Sequence, residues 1–328
     1  MASRYKTFDR THLELLPLAE RVHDLSLDVV QTPAPRQTIR EPFAFAADRL
    51  VAAKGTGATR ALMIGAHVLR SGMQRYLFDL MESGLISVIA VNGACTIHDF
   101  EFALIGQTTE SVARYIREGR FGLWRETGLL NDIVREARVN GLGLGEAVGK
   151  AIAEGDFPHK SESLFAKAYT LGLPVTVHVS IGYDITHEHP NCDGAAYGET
   201  SYRDFLIFAE CLRRLEGGMV MNFGSAIMAP EVFLKALAMV RNVGREAGET
   251  VRRFATLVCD VKPLPATYAT EAPKSDPNYY FRPWKTMLVR TLMDGGESRY
   301  VQGLHAETVP ELWTAISRLS ALTGRDRD

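Results

Sequence analysis

The chain has 328 residues, 46% of them hydrophobic and 23% charged, an ordinary globular composition that excludes a disordered or low-complexity protein. Lys and Arg number 37 against 39 Asp and Glu, a formal net charge of −2, which gives no electrostatic reason to expect nucleic acid as a partner. No stretch reaches the ~18 apolar residues of a membrane span, and the four widely spaced cysteines form no CxxC pair, which argues against a zinc ribbon or disulfide framework and suits a reducing, cytoplasmic compartment.

The N-terminal stretch MASRYKTFDRTHLELLPL lacks the unbroken apolar core of a signal peptide; it opens a helical or extended arm over 1–45. Beyond it, short β-rich runs alternate with longer segments of helical spacing. In chain order these are a strand at 61–64, a helix at 77–83, a strand at 88–91, a helix at 109–118, a helix at 161–171, a strand at 175–179, a helix at 202–215, a strand at 219–222, a helix at 230–245 and a strand at 257–261. Buried strands separated by helices predict an α/β fold, a Rossmann-like parallel sheet flanked by helices, in one domain over 1–328. Residues 262–300 differ in character. They hold Pro263, Pro265, Pro273, Pro277 and Pro283 and the aromatic run 278–285, and read as a functional loop.

In such a sheet, ligands bind beyond the carboxyl ends of the strands. The residues there are Gly65-Ala66-His67, Asn92-Gly93-Ala94-Cys95, Gly182-Tyr183-Asp184 and Phe223-Gly224-Ser225. Small residues at the start of a helix let backbone N–H groups hold an anion such as a pyrophosphate, although glycine also ends strands with no ligand involved. The run from Gly141 to Lys150 fits neither GxGxxG nor the P-loop pattern and follows a helix, so it reads as a loop.

Three constellations could carry chemistry. His98, Asp99 and Glu101 crowd the start of a helix; His98 is either a general acid/base or a structural residue, and Asp99 either a substrate contact or a match to the helix dipole. Asp184, His187, His189 and Asp193 fall within ten residues. An HxH pair on an extended strand would face one way, as some zinc sites require, but polar contacts to a substrate or a second subunit fit better, and no metal is expected. Lys285 follows Trp284 at the end of the aromatic run, where it is either a desolvated, nucleophilic amine or a surface lysine laid along a ring. Aromatic faces also attract cationic amines.

Together these segments resemble the deoxyhypusine synthase family, in its divergent bacterial-type branch. The similar blocks are GAHVLRSGM (65–73), AVNGACTIHDFEFALIG (90–106), GGMVMNFGSAIMAPEVFLKA (217–236) and RPWKTML (282–288), which occur in the family's order. The resemblance implies an NAD-dependent transferase that dehydrogenates a polyamine such as spermidine and passes an aminoalkyl group through a lysine imine to an amine acceptor, as in homospermidine-type synthesis. It implies Lys285 as the imine-forming residue, with His98 and Asp184 moving protons. Ser71, Gly72, Asn92, Gly93, Ala94, Gly224 and Ser225 become candidate NAD contacts, and Asp99, His187, His189, Asp193 and Trp284 candidate substrate contacts. It further implies a homo-oligomer, tetramer or dimer. The chain departs from the family pattern: Lys285 follows its tryptophan without the intervening glycine, and Ala229 and Pro230 stand where the family has a histidine. Two other readings are a metal-dependent hydrolase or lyase using His187 and His189, and a family relative that binds a ligand without catalysis.

Overall fold

The computed structural model describes residues 3–248 and 250–324. In chain order its strands are β1 (Leu25–Ser26), β2 (Arg60–Ile64), β3 (Val88–Asn92), β4 (Gln107–Thr108), β5 (Val175–His178), β6 (Met219–Phe223), β7 (Ala255–Asp260) and β8 (Glu297–Gln302). The helices are α1 (Glu41–Thr56), α2 (His67–Arg70), α3 (Gln74–Glu82), α4 (Gly93–Ile105), α5 (Val112–Glu118), α6 (Leu129–Asn140), α7 (Leu144–Glu154), α8 (Leu164–Thr170), α9 (Gly194–Leu212), α10 (Met228–Ala247) and α11 (His305–Gly324).

Six strands form one sheet in the order β5-β3-β2-β6-β7-β8, and every neighbouring pair is parallel. The chain runs outward from β2 through β3 to β5, then returns to the far side of β2 for β6, β7 and β8. This is the doubly wound order, whose reversal leaves a crevice between β2 and β6 at their carboxyl ends. β2, β3 and β6 are almost wholly buried, as expected for parallel strands covered on both faces. Alternate residues feed two cores. Leu62, Ile64, Ile89, Val91 and Met221 pack on one face with Leu50, Leu77 and Leu312. Ala61, Met63, Ala90, Val220 and Val258 pack on the other with Phe208, Phe233, Trp284 and Met287.

The predicted strands are all present. β8 was not expected, because ESRYVQ has no apolar run, and as an edge strand it is mostly half-buried. The expected loop over 262–300 is partly ordered: Pro283–Val289 is a π-helical turn and Arg290–Leu292 a 3-10 turn before β8. Among the described residues, no helix is long and apolar enough to cross a membrane.

The N-terminal arm does more than lead into α1. It pairs β1 with β4 in an antiparallel ladder and bridges Leu16 to Trp124. It also brings Arg21 into the interior. Gly72 belongs to this packing rather than to a cofactor site, since a Cβ there would collide with the Val29 carbonyl and its own carbonyl accepts from Gln31 N at 2.9 Å.

Candidate functional site

Helix α4 starts directly after β3. Asn92 caps it, its side-chain oxygen accepting from Cys95 N. Its first turn is pressed against the loop after β5, where a Cβ on Gly93 would meet the Asp184 carboxylate. Glycine is required here for close approach, and the contact brings Asp184 beside the α4 face that carries Ala94, Ile97, His98 and Glu101. Those residues, with Arg21, Arg70, Thr109, Glu110, Val112, Phe121, Tyr183, Asp184 and Ile185, line a cleft of about 210 Å³. That is below the ~300–1,000 Å³ of sites for drug-sized ligands and fits a small metabolite.

A hydrogen-bond chain forms the floor of the cleft. Arg21 and Glu101 make a bidentate pair at 2.9 and 2.6 Å, both side chains 1% exposed. Glu101 also accepts from Thr108 Oγ1 and from Thr127 Oγ1, each at 2.7 Å. Burial pushes the Glu101 carboxyl up, but Arg21 and the two threonines outweigh it and hold the carboxyl below its usual range. His98 Nδ1 lies 2.8 Å from Thr108 Oγ1. A threonine hydroxyl has one proton, and here Glu101 takes it. Thr108 must therefore accept from His98, so Nδ1 carries the imidazole proton and Nε2 a free lone pair. Burial lowers the His98 pKa to about 4, so the ring is neutral at physiological pH. Burial also raises the Asp184 pKa, to about 6.

The other expected site residues are distributed as follows. Asp99, one residue from His98, faces the opposite way: it is 1% exposed and accepts from Ser163 Oγ, Leu164 N and Phe165 N, so it caps α8 and does not reach the cleft. Asp193 caps α9 through Ala195 N and Ala196 N and lies outside the cleft. His187 and His189 sit on and just after a 3-10 turn, Ile185–Glu188, not on an extended strand. His187 Nδ1 accepts from Gly182 N and Asp184 N and so shapes the loop that carries Asp184. His189 is buried, with Nε2 2.7 Å from the Gly122 carbonyl. Among the described residues, no three His, Cys, Asp or Glu gather to hold a metal, so the alternative of a metal centre at His187 and His189 finds no ligand set.

Trp284 is 3% exposed and packs in the second core, its Nε1 donating to the carbonyls of Tyr268 and Thr270, so it is structural. Lys285 sits in the π-helical turn with Nζ 3.6 Å above the Tyr279 ring centroid and is not part of the His98–Asp184 cleft.

The remaining candidates lie at the crevice between β2 and β6. Gly65 and Gly224 meet there, a Cβ on Gly65 falling 2.7 Å from the Gly224 carbonyl oxygen. Gly224 has φ +69, a left-handed conformation that other residues adopt only with strain. Ser225 accepts from Ala229 N at 3.1 Å and is tied to Asn222. The His305 ring, at the start of α11, lies over Gly224, and its buried Nδ1 has no partner. Ser71 ends α2, the short helix running from this crevice to Arg70 in the cleft. The two glycines thus make room for the Gly224 carbonyl and the His305 ring rather than for an open cradle, and the unpartnered His305 Nδ1 stands at the switch point of the sheet, where this fold places ligands.

No protein-family model matches the sequence, and no curated protein does. Solved structures do match in fold. AgrE in its ternary complex with ornithine and NAD+ aligns with a TM-score of 0.51 at 15% identity, over 85% of this chain and 33% of that one. Unliganded AgrE gives 0.52 at 14% identity, over 87% and 34%. This chain thus spans about a third of the AgrE length. A structure named for deoxyhypusine synthase, from Entamoeba histolytica, is matched more loosely, with a TM-score of 0.39 at 9% identity over 84% and 87%. The AgrE likeness is one of fold, an α/β architecture shared over about a third of that protein.

Sequence reasoning missed Arg21, Arg70, Thr108 and His305. Glu101 was within reach, since a residue three positions after His98 on a helix shares its face. Arg21 gave no local signal, because its partner lies 80 residues away.

Proposed function

We propose that the protein is an NAD-dependent enzyme that dehydrogenates a small amine in the cleft beneath α2, α4 and the Asp184 loop. The observation that carries this reading is the Glu101–Thr108–His98 chain, which fixes the imidazole tautomer and leaves Nε2 as a hydrogen-bond acceptor in a cleft that also holds an acidic residue. Asp184, ionised above about pH 6, balances the ammonium charge. His98 Nε2 accepts a hydrogen bond from the substrate nitrogen. It takes one proton from that ammonium nitrogen, freeing the N–H electron pair to form the C=N bond as the adjacent carbon loses its hydrogen with its own electron pair, and the product is an iminium. When bound, NAD supplies the acceptor for that pair. The buried Glu101 carboxylate, held ionised by Arg21, stabilises the imidazolium through Thr108.

A second step, aminoalkyl transfer through Lys285 to an amine acceptor, rests on the family resemblance and on the placement of the Lys285 amine over an aromatic face. Because Lys285 and the cleft do not meet within one chain, this step calls for a homo-oligomer in which a neighbouring copy supplies the lysine. The test is NADH formation by purified protein offered putrescine, spermidine, agmatine, lysine and arginine separately, at catalytic and at stoichiometric enzyme. The expected result is NADH, or a single-turnover burst, with at least one amine, lost in His98→Ala. Absence of both a burst and NAD+ binding overturns the proposal.

A further inference from the structure

The charges lining the cleft do not all face a ligand. Arg21 and Glu101 neutralise each other in a buried bidentate pair. Both Glu110 oxygens are occupied by Gly122 N at 2.9 Å and Trp124 Nε1 at 2.8 Å. Two charged groups remain. Asp184 has no cation paired with it among the described residues, and Arg70 has no carboxylate. Among the described residues the Arg70 guanidinium has one polar contact, His67 Nε2 at 3.2 Å from NH1, and its buried Nε has no partner. A guanidinium is a planar fork matched to two oxygens of a carboxylate or phosphate. A half-buried one left without such a partner is an incomplete site.

From this we infer that the cleft binds a zwitterion: an amino acid whose carboxylate is held by Arg70 and whose ammonium is held by Asp184, with His98 Nε2 beside the nitrogen. The inference rests on the cleft being the reaction site proposed above, and it narrows the substrate from amines in general to amino-carboxylates. A simple diamine or polyamine would leave Arg70 unpaired and place a second cation near it. A site built to hydrogen-bond a group rejects the analogue that lacks it far more strongly than it rejects a change in chain length.

Calorimetric titration of the full-length protein with matched pairs tests this: alanine with ethylamine, lysine with cadaverine, arginine with agmatine, each with and without NAD+. At least one amino acid is expected to bind about tenfold or more tightly than the amine left by its decarboxylation. Arg70→Gln should erase that preference, Arg70→Lys should restore part of it, and neither should shift the melting temperature, since Arg70 makes no internal ion pair. Tighter binding of the amines, or an amino-acid preference that survives Arg70→Gln, overturns the inference. So does an Arg70→Gln effect confined to NAD+ affinity, which would assign the guanidinium to a cofactor phosphate. Amino-acid binding without NADH formation would instead sink the dehydrogenase reading and leave the zwitterion site standing.

Discussion

The segment that follows β3 and the connection between β7 and β8 each hold a nitrogen base beside groups that could activate it, and they differ in how those groups are partnered. Behind His98 every partner is committed: Arg21 to Glu101, Glu101 to Thr108, and Thr108 to the imidazole Nδ1. One ring nitrogen remains, and it belongs to a residue that lines a cleft. At Lys285 the amine lies over Tyr279, while the neighbouring tryptophan is sealed into the core with its N–H satisfied by two carbonyls. The first arrangement restricts the chemistry to one atom. The second holds a cation in a favourable place without fixing what it can react with. Residue types that promise chemistry become a site only where burial fixes all but one of their polar atoms.

Substitutions can break this contrast, beginning with the largest effect. His98→Ala should lower amine-dependent NADH formation by about 10²–10⁴-fold, the usual contribution of a positioned acid/base, while NAD+ binding measured by fluorescence stays within about twofold. Arg21→Ala should cost about 3–5 kcal/mol in a urea melt, because it leaves a buried carboxylate without its counter-ion; a loss below ~1 kcal/mol would mean that water reaches Glu101.

Two further tests sharpen the contrast. Activity should rise with pH through about 6, the value to which burial raises Asp184, and Asp184→Asn should remove that limb. A limb near 4 would assign the change to His98 instead. In stability the two groups act in opposite directions. Asp184, with its folded pKa raised, stabilises the fold fully below about 3.8 and loses that contribution as pH rises through about 6. His98, with its folded pKa lowered, contributes fully above about 6.5 and loses it as pH falls towards about 4. Thermal melts of His98→Gln should therefore fall more steeply than wild type as pH rises from about 4 to 6, because the Asp184 slope is no longer offset. The smallest effect belongs to Lys285→Ala, which should leave the dehydrogenation burst within about threefold of wild type while abolishing any aminoalkyl transfer. A burst lost with Lys285 would place that lysine in the first half-reaction.

Much of the fold was legible because hydrophobic periodicity records burial. Short β-rich apolar runs such as ALMI (61–64) and VIAV (88–91) suit strands covered on both faces, and the helical patterns between them point to parallel connections. The turns that follow those strands could also be singled out as where to look for a ligand, because the carboxyl edge of such a sheet is where backbone groups and helix starts converge. The roles of the side chains there were not legible. Asp99 and Glu101 are two residues apart, yet one caps α8 and the other anchors the His98 chain, a difference set by whether Ser163 or Arg21 arrives opposite. Gly72 and Gly93 were both read as cofactor contacts, and the structure spends one on the N-terminal arm and the other on the Asp184 loop. The layers follow from local pattern and the apolar area that must be buried, and both are written along the chain. Which atoms stay free is set by long-range packing, because a hydrogen-bond partner brought from 80 residues away leaves no trace in the pattern around the residue it satisfies.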